Sequence, residues 1–188
     1  MAAPLDLTPD EVSAVFASAD CLYTAEEVDI AIDAMARDIT AVMENKMPLI
    51  LCTMIGGIVT AGKLLERLNF PLTVDYIHAS RYRGALVGAD LHWLARPSES
   101  IKDRIVLIVD DIFDEGLTLE ALVKDCMAAG AEKVYSAILV EKECRKKSII
   151  NVDFTGLVVA DRFVFGCGMD YKGYLRNVAG IYALPETE

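Results

Sequence analysis

Hydrophobic positions along the chain follow two patterns, one typical of helices and one typical of buried strands. Between Thr24 and about Asn45, apolar residues recur every three or four positions, which predicts an amphipathic helix. Strands are predicted at residues 49–54, 72–79, 105–109, 133–140 and 155–160. The continuous apolar runs at 49–54 and 105–109 indicate strands that are buried on both faces. Other helices are predicted at about 8–18, after Gly57 to about 69, and at 118–129. This alternation predicts an α/β fold with an open, mostly parallel sheet and helices on both faces.

Two of the predicted helices begin with a capping box. Thr8 and Thr24 are each followed three residues later by a glutamate, Glu11 and Glu27, whose carboxylate can accept from the backbone N–H group of the capping threonine. Pro9 stands at the first helical position, where its missing N–H group costs nothing. Both helix starts are therefore encoded locally.

Composition and charge restrict the class of protein. The 188 residues suggest a single domain over 1–188, and 54% hydrophobic residues support a full core. Eighteen basic residues against 29 acidic residues give a net charge of -11, which argues against a nucleic-acid partner. The longest uncharged run is 47–62, and a membrane span needs about 20 mostly apolar residues, so no membrane partner is expected.

The five cysteines bear on the compartment. Their number is odd, none is spaced as CxxC and none stands close to a histidine, so they are typical of reduced thiols. The first residues also lack the basic flank and apolar stretch of a secretion signal. We therefore expect a cytoplasmic protein.

Candidate chemistry is expected where the parallel strands end, because ligands of open α/β sheets bind beyond the carboxyl ends of the strands. Four stretches follow predicted strands: residues 54–57, 110–118, 141–142 and the segment from 161 onward. They are far apart in the sequence, but the predicted topology brings them to one rim of the sheet.

An acidic stretch at this rim, predicted as a loop over 110–116, is the most informative. It has four carboxylates in six residues, and no Lys or Arg occurs between Ile105 and Leu117. Such close like charges require compensation, for example by a divalent cation or by hydroxyl donors. A helix N-terminus, whose free N–H groups can hold a phosphate, follows directly. Carboxylates beside a phosphate cradle favour a site for a phosphorylated sugar.

The run from Val106 to Leu119, with Asp110-Asp111-Ile112-Phe113-Asp114-Glu115-Gly116 at its centre, resembles the phosphoribosyl-pyrophosphate (PRPP) motif of type I phosphoribosyltransferases. The similarity extends from about Cys21 to Leu184 and is greatest to the hypoxanthine-guanine phosphoribosyltransferases, in their bacterial form. The resemblance implies the fold of that family, including a small hood formed from the terminal segments. It also implies Mg²⁺-dependent transfer of 5-phosphoribosyl from PRPP to N9 of a 6-oxopurine, with release of pyrophosphate.

The resemblance further implies roles in PRPP binding. Asp110 and Asp111 would hold the ribose hydroxyl groups, and Asp114 would serve as catalytic acid and base at purine N7. The remaining PRPP-binding residues would be Glu115, Gly116, Leu117 and Thr118 at the 5-phosphate, and Ile55, Gly56 and Arg176 at the pyrophosphate. Many relatives have Thr where this chain has Glu115, and a polar or basic residue where it has Ile55. In relatives the pyrophosphate loop can contain a non-proline cis peptide.

Implied roles in base and metal binding fall later in the chain. Lys142 would contact the purine O6 and favour a 6-oxo group, because an ammonium group donates and never accepts. Base binding would also use Phe163, Val164 and Asp170, and the metal would use Asp170, Asp110 and Asp111. A mobile loop around 80–100, with Arg81 and Tyr82, would cover the site.

Three alternatives stay open at this stage. A regulator of the same fold could sense PRPP or nucleotides without catalysis. An RNA-binding regulator would be expected to have a basic face, which the net charge of -11 argues against. A phosphoribosyltransferase for another base is the second alternative. The third, a redox or receiver-like domain, leaves Lys142 and Asp170 unexplained. Relatives are homodimers or homotetramers, and either assembly is expected here.

Overall fold

The computed structural model describes residues 7–81, 91–144 and 148–186. The helices are α1 (Pro9–Ser18), α2 (Ala25–Met43), α3 (Ile58–Leu65) and α4 (Leu117–Ala128). The strands are β1 (Asp20–Tyr23), β2 (Leu49–Thr53), β3 (Thr73–Arg81), β4 (Leu91–Ala95), β5 (Ile105–Phe113), β6 (Lys133–Glu143), β7 (Phe154–Ala160), β8 (Val164–Phe165) and β9 (Ile181–Ala183). Both predicted capping boxes form, at Thr8 and at Thr24.

The main sheet has six strands in the order β4-β3-β2-β5-β6-β7. Every neighbouring pair is parallel except β3 with the edge strand β4. The two central strands are almost wholly apolar, and every residue of β2 is buried. The mostly parallel sheet predicted from the continuous apolar runs is therefore confirmed.

Helices cover both faces of this sheet, as predicted. On one face α2 and α3 pack against the sheet, with Ile32, Met35 and Leu64 in the same buried cluster as Ile50 and other strand residues. On the other face α4 contributes Leu119 and Leu122 to a second cluster. No helix in the described part of the chain is both long enough and apolar enough to span a membrane.

A small antiparallel sheet, β1-β9-β8, forms the hood that the family resemblance implied. Its strands come from the terminal segments and are only two to four residues long. An aromatic cluster holds it together: the rings of Phe165 and Tyr182 stack with centroids 5.8 Å apart, and Phe16 of α1 meets Tyr182 edge-on at 5.0 Å. Aromatic packing of this kind compensates for the few hydrogen bonds of such short strands.

The structure corrects several predicted boundaries. The predicted loop over 110–116 is wrong in its first half, because β5 continues to Phe113 and pairs with β6 through Phe113↔Glu141. Backbone pairing does not depend on side-chain polarity, so the two aspartates stand inside the strand. Strand β6 likewise continues past Val140 to Glu143, and α3 ends at Leu65 rather than near 69.

The segment around 80–100, predicted as a mobile loop, includes the end of β3 and all of β4. Tyr82 lies outside the described residues, as does the side chain of Arg81. The roles predicted for these two residues therefore stay predictions.

Replacing Ile32 by Ala should lower the free energy of unfolding by about 2–4 kcal/mol, because the side chain is fully buried and its removal leaves a cavity. Ile30 lies on the same helix with 61% of its surface exposed, so Ile30→Ala should change stability by less than about 0.5 kcal/mol. Urea unfolding of both variants measures the difference. Equal losses would contradict the assignment of the α2 face that packs on the sheet.

Candidate active site

Two adjacent aspartates near the end of β5 form the centre of the candidate site. Asp111 is buried and Asp110 is half-buried. The hydroxyl group of Thr53, the last residue of β2, donates to the Asp110 carboxylate and lies 3.0 Å from the carbonyl oxygen of Val109. The N–H group of Asp111 donates to the same carboxylate at 2.9 Å. These bonds hold the Asp110 side chain at the junction of β2 and β5.

Burial makes the ionised form of both aspartates unfavourable. Loss of water raises the pKa of Asp110 well above its ordinary range, and the neighbouring Asp111 charge raises it further. Burial also raises the pKa of Asp111, although hydrogen bonds and the positive charge of Arg176 act in the opposite direction. The pair therefore creates a place where added positive charge or hydroxyl donors are stabilising.

Two glycines bring distant segments against this pair. A side chain at Gly56 would overlap the Asp111 carboxylate, and one at Gly168 would overlap the carbonyl oxygen of Gly56. Gly168 also has a φ of +107°, which other residues rarely adopt. Only glycine at both positions permits the stacking of the 164–176 segment on the β2–α3 loop, and of that loop on Asp111.

The β2–α3 loop lines one side of a small pocket, here named the β2 pocket. The peptide bond between Met54 and Ile55 is cis, in the loop where relatives can contain such a bond. The pocket has a volume of about 220 Å³, and its lining includes Thr53, Met54, Ile55, Gly56, Asp110, Asp111, Thr118 and Arg176. The side chain of Ile55 is 53% exposed, so it offers an apolar surface beside this pocket.

A second pocket, the α4 pocket, lies at the N-terminus of α4. It has a volume of about 440 Å³ and is lined by residues 110–119. Gly116, with a φ of +83°, turns the chain into the helix, and no described side chain caps the helix start. The first N–H groups of α4 therefore remain available for an anion, and the helix dipole favours negative charge there.

Glu115 is anchored beside this pocket through its backbone. Its carbonyl oxygen accepts a hydrogen bond of 3.0 Å from the N–H group of Ser148. Gly116 packs against the ring of Phe113 and the side chain of Ser148, leaving no room for a Cβ. The loop that precedes α4 is thus braced against the segment that follows β6.

A third pocket, the hood pocket, opens between the main sheet and the hood. It has a volume of about 380 Å³ and is lined by Asp111, Ile112, Asp114, Lys142, Phe163, Val164, Met169, Asp170 and Lys172. The ring of Phe163 is half exposed and meets Tyr171 edge-on, with centroids 5.9 Å apart. A flat apolar ligand could stack on the free face of such a ring.

Lys142 enters the hood pocket from β6 between two carboxylates. Its Nζ lies 3.4 Å from Oδ2 of Asp114 and 3.7 Å from Oδ1 of Asp161. Asp114 also accepts from the thiol of Cys144, at 3.3 Å to its Oδ1. Three side chains here are of types that can bind a metal ion and lie close together: Asp114, Cys144 and Asp161. The ammonium group of Lys142, however, already supplies positive charge to both carboxylates.

Asp170 and Arg176 form an ion pair within the 164–176 segment. The other Asp170 oxygen accepts from the N–H group of Gly173 at 2.6 Å, and Arg176 donates to the carbonyl oxygen of Gly168 at 2.5 Å. Since Gly168 packs on Gly56, Arg176 is held at the edge of the β2 pocket.

The structure brings the predicted site residues of the described chain around one point. Asp111 lines all three pockets, Asp110 lines the β2 and α4 pockets, and Asp114 lines the α4 and hood pockets. Sequence reasoning missed three contributors: Thr53, Asp161 and Gly168. Thr53 could have been found as the one polar residue at the end of an otherwise apolar strand. Asp161 opens a segment predicted to lie at the rim but was given no role, and nothing in the local sequence marks Gly168.

Comparison with known proteins places this site in a family. Residues 18–172 match the phosphoribosyl transferase domain family. Hypoxanthine-guanine-xanthine phosphoribosyltransferase from Tritrichomonas foetus is 30% identical over 167 residues, which cover 88% of this chain and 91% of that protein. The chain belongs to the hypoxanthine-guanine phosphoribosyltransferase family. This confirms the resemblance carried by the motif at 106–119.

Other relatives agree with this assignment. Hypoxanthine-guanine phosphoribosyltransferase from Bacillus subtilis is 28% identical over 87% of this chain and 91% of that protein. A crystal structure of a hypoxanthine phosphoribosyltransferase from Staphylococcus aureus superposes with a TM-score of 0.86, covering 92% of this chain and 95% of that one at 23% identity. The latter likeness shows that the fold, hood included, is that of this family.

The glycine stacking predicts opposite effects for two alanine substitutions. Gly168→Ala should lower the free energy of unfolding by about 1–3 kcal/mol, because the backbone is left-handed there and the new Cβ meets the Gly56 carbonyl. Gly62 lies in α3 with open space around it, so Gly62→Ala should raise stability by about 0.5–1 kcal/mol. Urea unfolding compares the two. A Gly168→Ala protein as stable as the parent would show that the stacking is not tight.

The buried acid pair predicts a pH-dependent effect of Asp110→Asn. Folding raises the pKa of the Asp110 carboxyl group, so the folded state binds the carboxyl proton more tightly than the unfolded state does. Stability is therefore lost as the pH rises from the ordinary pKa of about 3.9 through the higher pKa of the folded state. The variant lacks this loss, so its stability relative to the parent should increase with pH. Unfolding measured at several pH values without divalent cations tests this, and a difference independent of pH would contradict it.

Proposed function

We propose that the protein is a purine salvage enzyme that transfers 5-phosphoribosyl from PRPP to N9 of hypoxanthine or guanine, giving IMP or GMP and pyrophosphate. The observation that supports this best is the meeting of three pockets at Asp111, in a chain of the hypoxanthine-guanine phosphoribosyltransferase family. The reaction has three components besides the ribose: a 5-phosphate, a pyrophosphate and a base. Each corresponds to one pocket, and the ribose to their junction.

The PRPP end of the reaction is assigned to the α4 and β2 pockets. The 5-phosphate accepts from the N–H groups at the start of α4, over residues 115–118. The ribose hydroxyl groups donate to Asp110 and Asp111, whose burial makes such neutral donors favourable partners. The pyrophosphate lies along the backbone of Ile55 and Gly56, with Arg176 at the edge of the same pocket.

The base is assigned to the hood pocket. The purine stacks on the exposed face of Phe163 and bonds to the backbone at Val164, while Asp170 borders the same pocket. Lys142 donates to O6 and offers nothing to the 6-amino group of adenine, which is itself a donor. The pocket therefore favours 6-oxopurines.

Asp114 is assigned the proton transfer at N7. It is exposed and lies where the α4 and hood pockets meet, between the places assigned to the sugar phosphate and to the base. As N9 attacks C1′ of the ribose and the bond from C1′ to pyrophosphate breaks, the purine loses its N7 proton and the Asp114 carboxylate accepts it. In the reverse direction the protonated carboxyl group returns this proton to N7.

Magnesium fits the donors of this site. Carboxylate oxygens are the protein ligands that Mg²⁺ prefers, and Asp110 and Asp111 are held where their own charges are not fully compensated. Asp110, Asp111 and Asp170 are the residues that would hold the ion. When bound, it would neutralise negative charge that develops on the departing pyrophosphate.

Assembly and location belong to the same proposal. A homodimer or homotetramer agrees with the half-exposed apolar side chains of Val74 and Tyr76 on β3 and of Ile58 on α3. None of the five cysteines forms a disulfide bond, in agreement with a cytoplasmic location. The net charge of -11 opposes binding to nucleic acid.

Product formation tests the proposed function. The protein is incubated with PRPP and Mg²⁺ and, separately, with hypoxanthine, guanine, xanthine or adenine. We expect nucleotide from hypoxanthine or guanine and none from adenine. PRPP binding without product from any base would overturn the proposal in favour of a PRPP-sensing regulator.

Asp114→Asn should lower kcat about 100-fold or more and leave the KM for PRPP within about threefold, because the amide cannot accept the N7 proton. Asp38→Asn, an exposed substitution on α2, is the matched control and should leave both constants unchanged. Steady-state kinetics with hypoxanthine measures both. A turnover near that of the parent would remove Asp114 from the mechanism.

A further inference from the structure

We propose that Asp161 is a positioning residue that sets the place of the Lys142 ammonium group and so helps determine base selectivity. The inference rests on the proposed function, because Lys142 is the residue assigned to O6 of the purine. Asp161 follows β7 and is not among the residues that line the hood pocket, so its effect on the base must pass through Lys142.

The ammonium group of Lys142 is largely shielded from solvent and lies close to two carboxylates. The Lys142 side chain is only 12% exposed, and its Nζ lies 3.4 Å from Asp114 and 3.7 Å from Asp161, whose carboxylate oxygens are within 4.8 Å of each other. An ammonium group shared between two carboxylates is not drawn fully onto either one. Since an ammonium group carries three N–H donors, Lys142 can donate to an acceptor on the base from this position.

The backbone around Asp161 is firmly fixed, which gives its carboxylate a defined position. Arg162 donates from its N–H group to the carbonyl oxygen of Ala160 at 2.8 Å, and its guanidinium group bonds to the Asp20 carboxylate and, at 2.6 Å, to the carbonyl oxygen of Leu184. The N–H group of Leu184 donates in turn to the carbonyl oxygen of Phe163 at 3.0 Å. The turn from 160 to 163 is thus fastened to the hood.

Consecutive residues of the 160–163 turn contact different parts of the molecule. Asp161 contacts Lys142 of the main sheet, Arg162 is committed to the hood, and Phe163 lines the hood pocket. The Asp161–Lys142 ion pair consequently connects Lys142, which is assigned to O6 of the purine, to the segment that carries Phe163, whose ring is assigned to stack on the purine. Without Asp161, the ammonium group moves toward Asp114, away from O6, and competes with the base for that carboxylate.

The test compares Asp161→Asn with Asp20→Asn. Both carboxylates are more than half exposed, and both form an ion pair near the 160–163 turn. Asp20, however, pairs with Arg162 and not with Lys142. We expect Asp161→Asn to raise the KM for hypoxanthine roughly threefold to tenfold, with the KM for PRPP unchanged. The ratio of kcat/KM for hypoxanthine to that for adenine should fall by a similar factor. Asp20→Asn should leave all of these constants at parental values, because the bonds of Arg162 to the Leu184 carbonyl oxygen and of Leu184 to Phe163 still hold the turn. Asp161→Glu should restore part of the loss.

A double-mutant cycle assigns the effect to Lys142. In a Lys142→Ala protein, adding Asp161→Asn should change the KM for hypoxanthine by less than about twofold, because the group that Asp161 positions is gone. An Asp161→Asn effect that persists in this background, or one that is equal for PRPP and hypoxanthine, would overturn the proposal. If the parent protein makes no nucleotide, the proposed function itself has failed; if the parent is active and Asp161→Asn matches it, only the present inference has failed.

Discussion

The close packing of Gly168 on the Gly56 backbone, and of Gly56 on the Asp111 side chain, is the constraint on which the site depends. Each glycine occupies a position where a Cβ would overlap its neighbour, so the hood-side segment, the β2–α3 loop and the end of β5 stack directly. This stacking holds Arg176 and the Ile55–Gly56 backbone at the same pocket as the buried aspartates. Side chains from parts of the chain more than 100 residues apart thereby meet within one rim.

Charge is arranged in this rim so that an acidic chain can accept a substrate that is itself an anion. At its centre, burial makes the ionised form of Asp110 and Asp111 unfavourable, so hydroxyl groups and a cation are favourable partners there. Around them, the places proposed for the phosphate groups offer backbone N–H groups, at the start of α4 and along the β2–α3 loop, rather than lysines. Lys142 and Arg176 are each paired with carboxylates, so their charges orient ligands more than they attract them from solution.

Much of the fold could be predicted from the sequence because its central strands are continuous apolar runs. The hood strands could not, since two to four residues carry no period, and their pairing depends on the aromatic packing of Phe16, Phe165 and Tyr182. The motif at 106–119 predicted Asp110, Asp111 and Asp114 as site residues. The motif did not predict that Asp110 and Asp111 lie within strand β5, or that Thr53 on the neighbouring strand β2 bonds to Asp110. Such contacts are set by sheet order, which single-sequence patterns do not encode.

The central claim is that the α4 and β2 pockets bind one ligand, with the 5-phosphate in the first and the pyrophosphate in the second. Calorimetric titration with PRPP and with ribose 5-phosphate, both in the presence of Mg²⁺, tests it most directly, because the two ligands differ only in the pyrophosphate group. The account predicts that PRPP binds one molecule per chain and at least about tenfold more tightly than ribose 5-phosphate. Equal affinities would show that the β2 pocket contributes nothing to binding and would contradict the account.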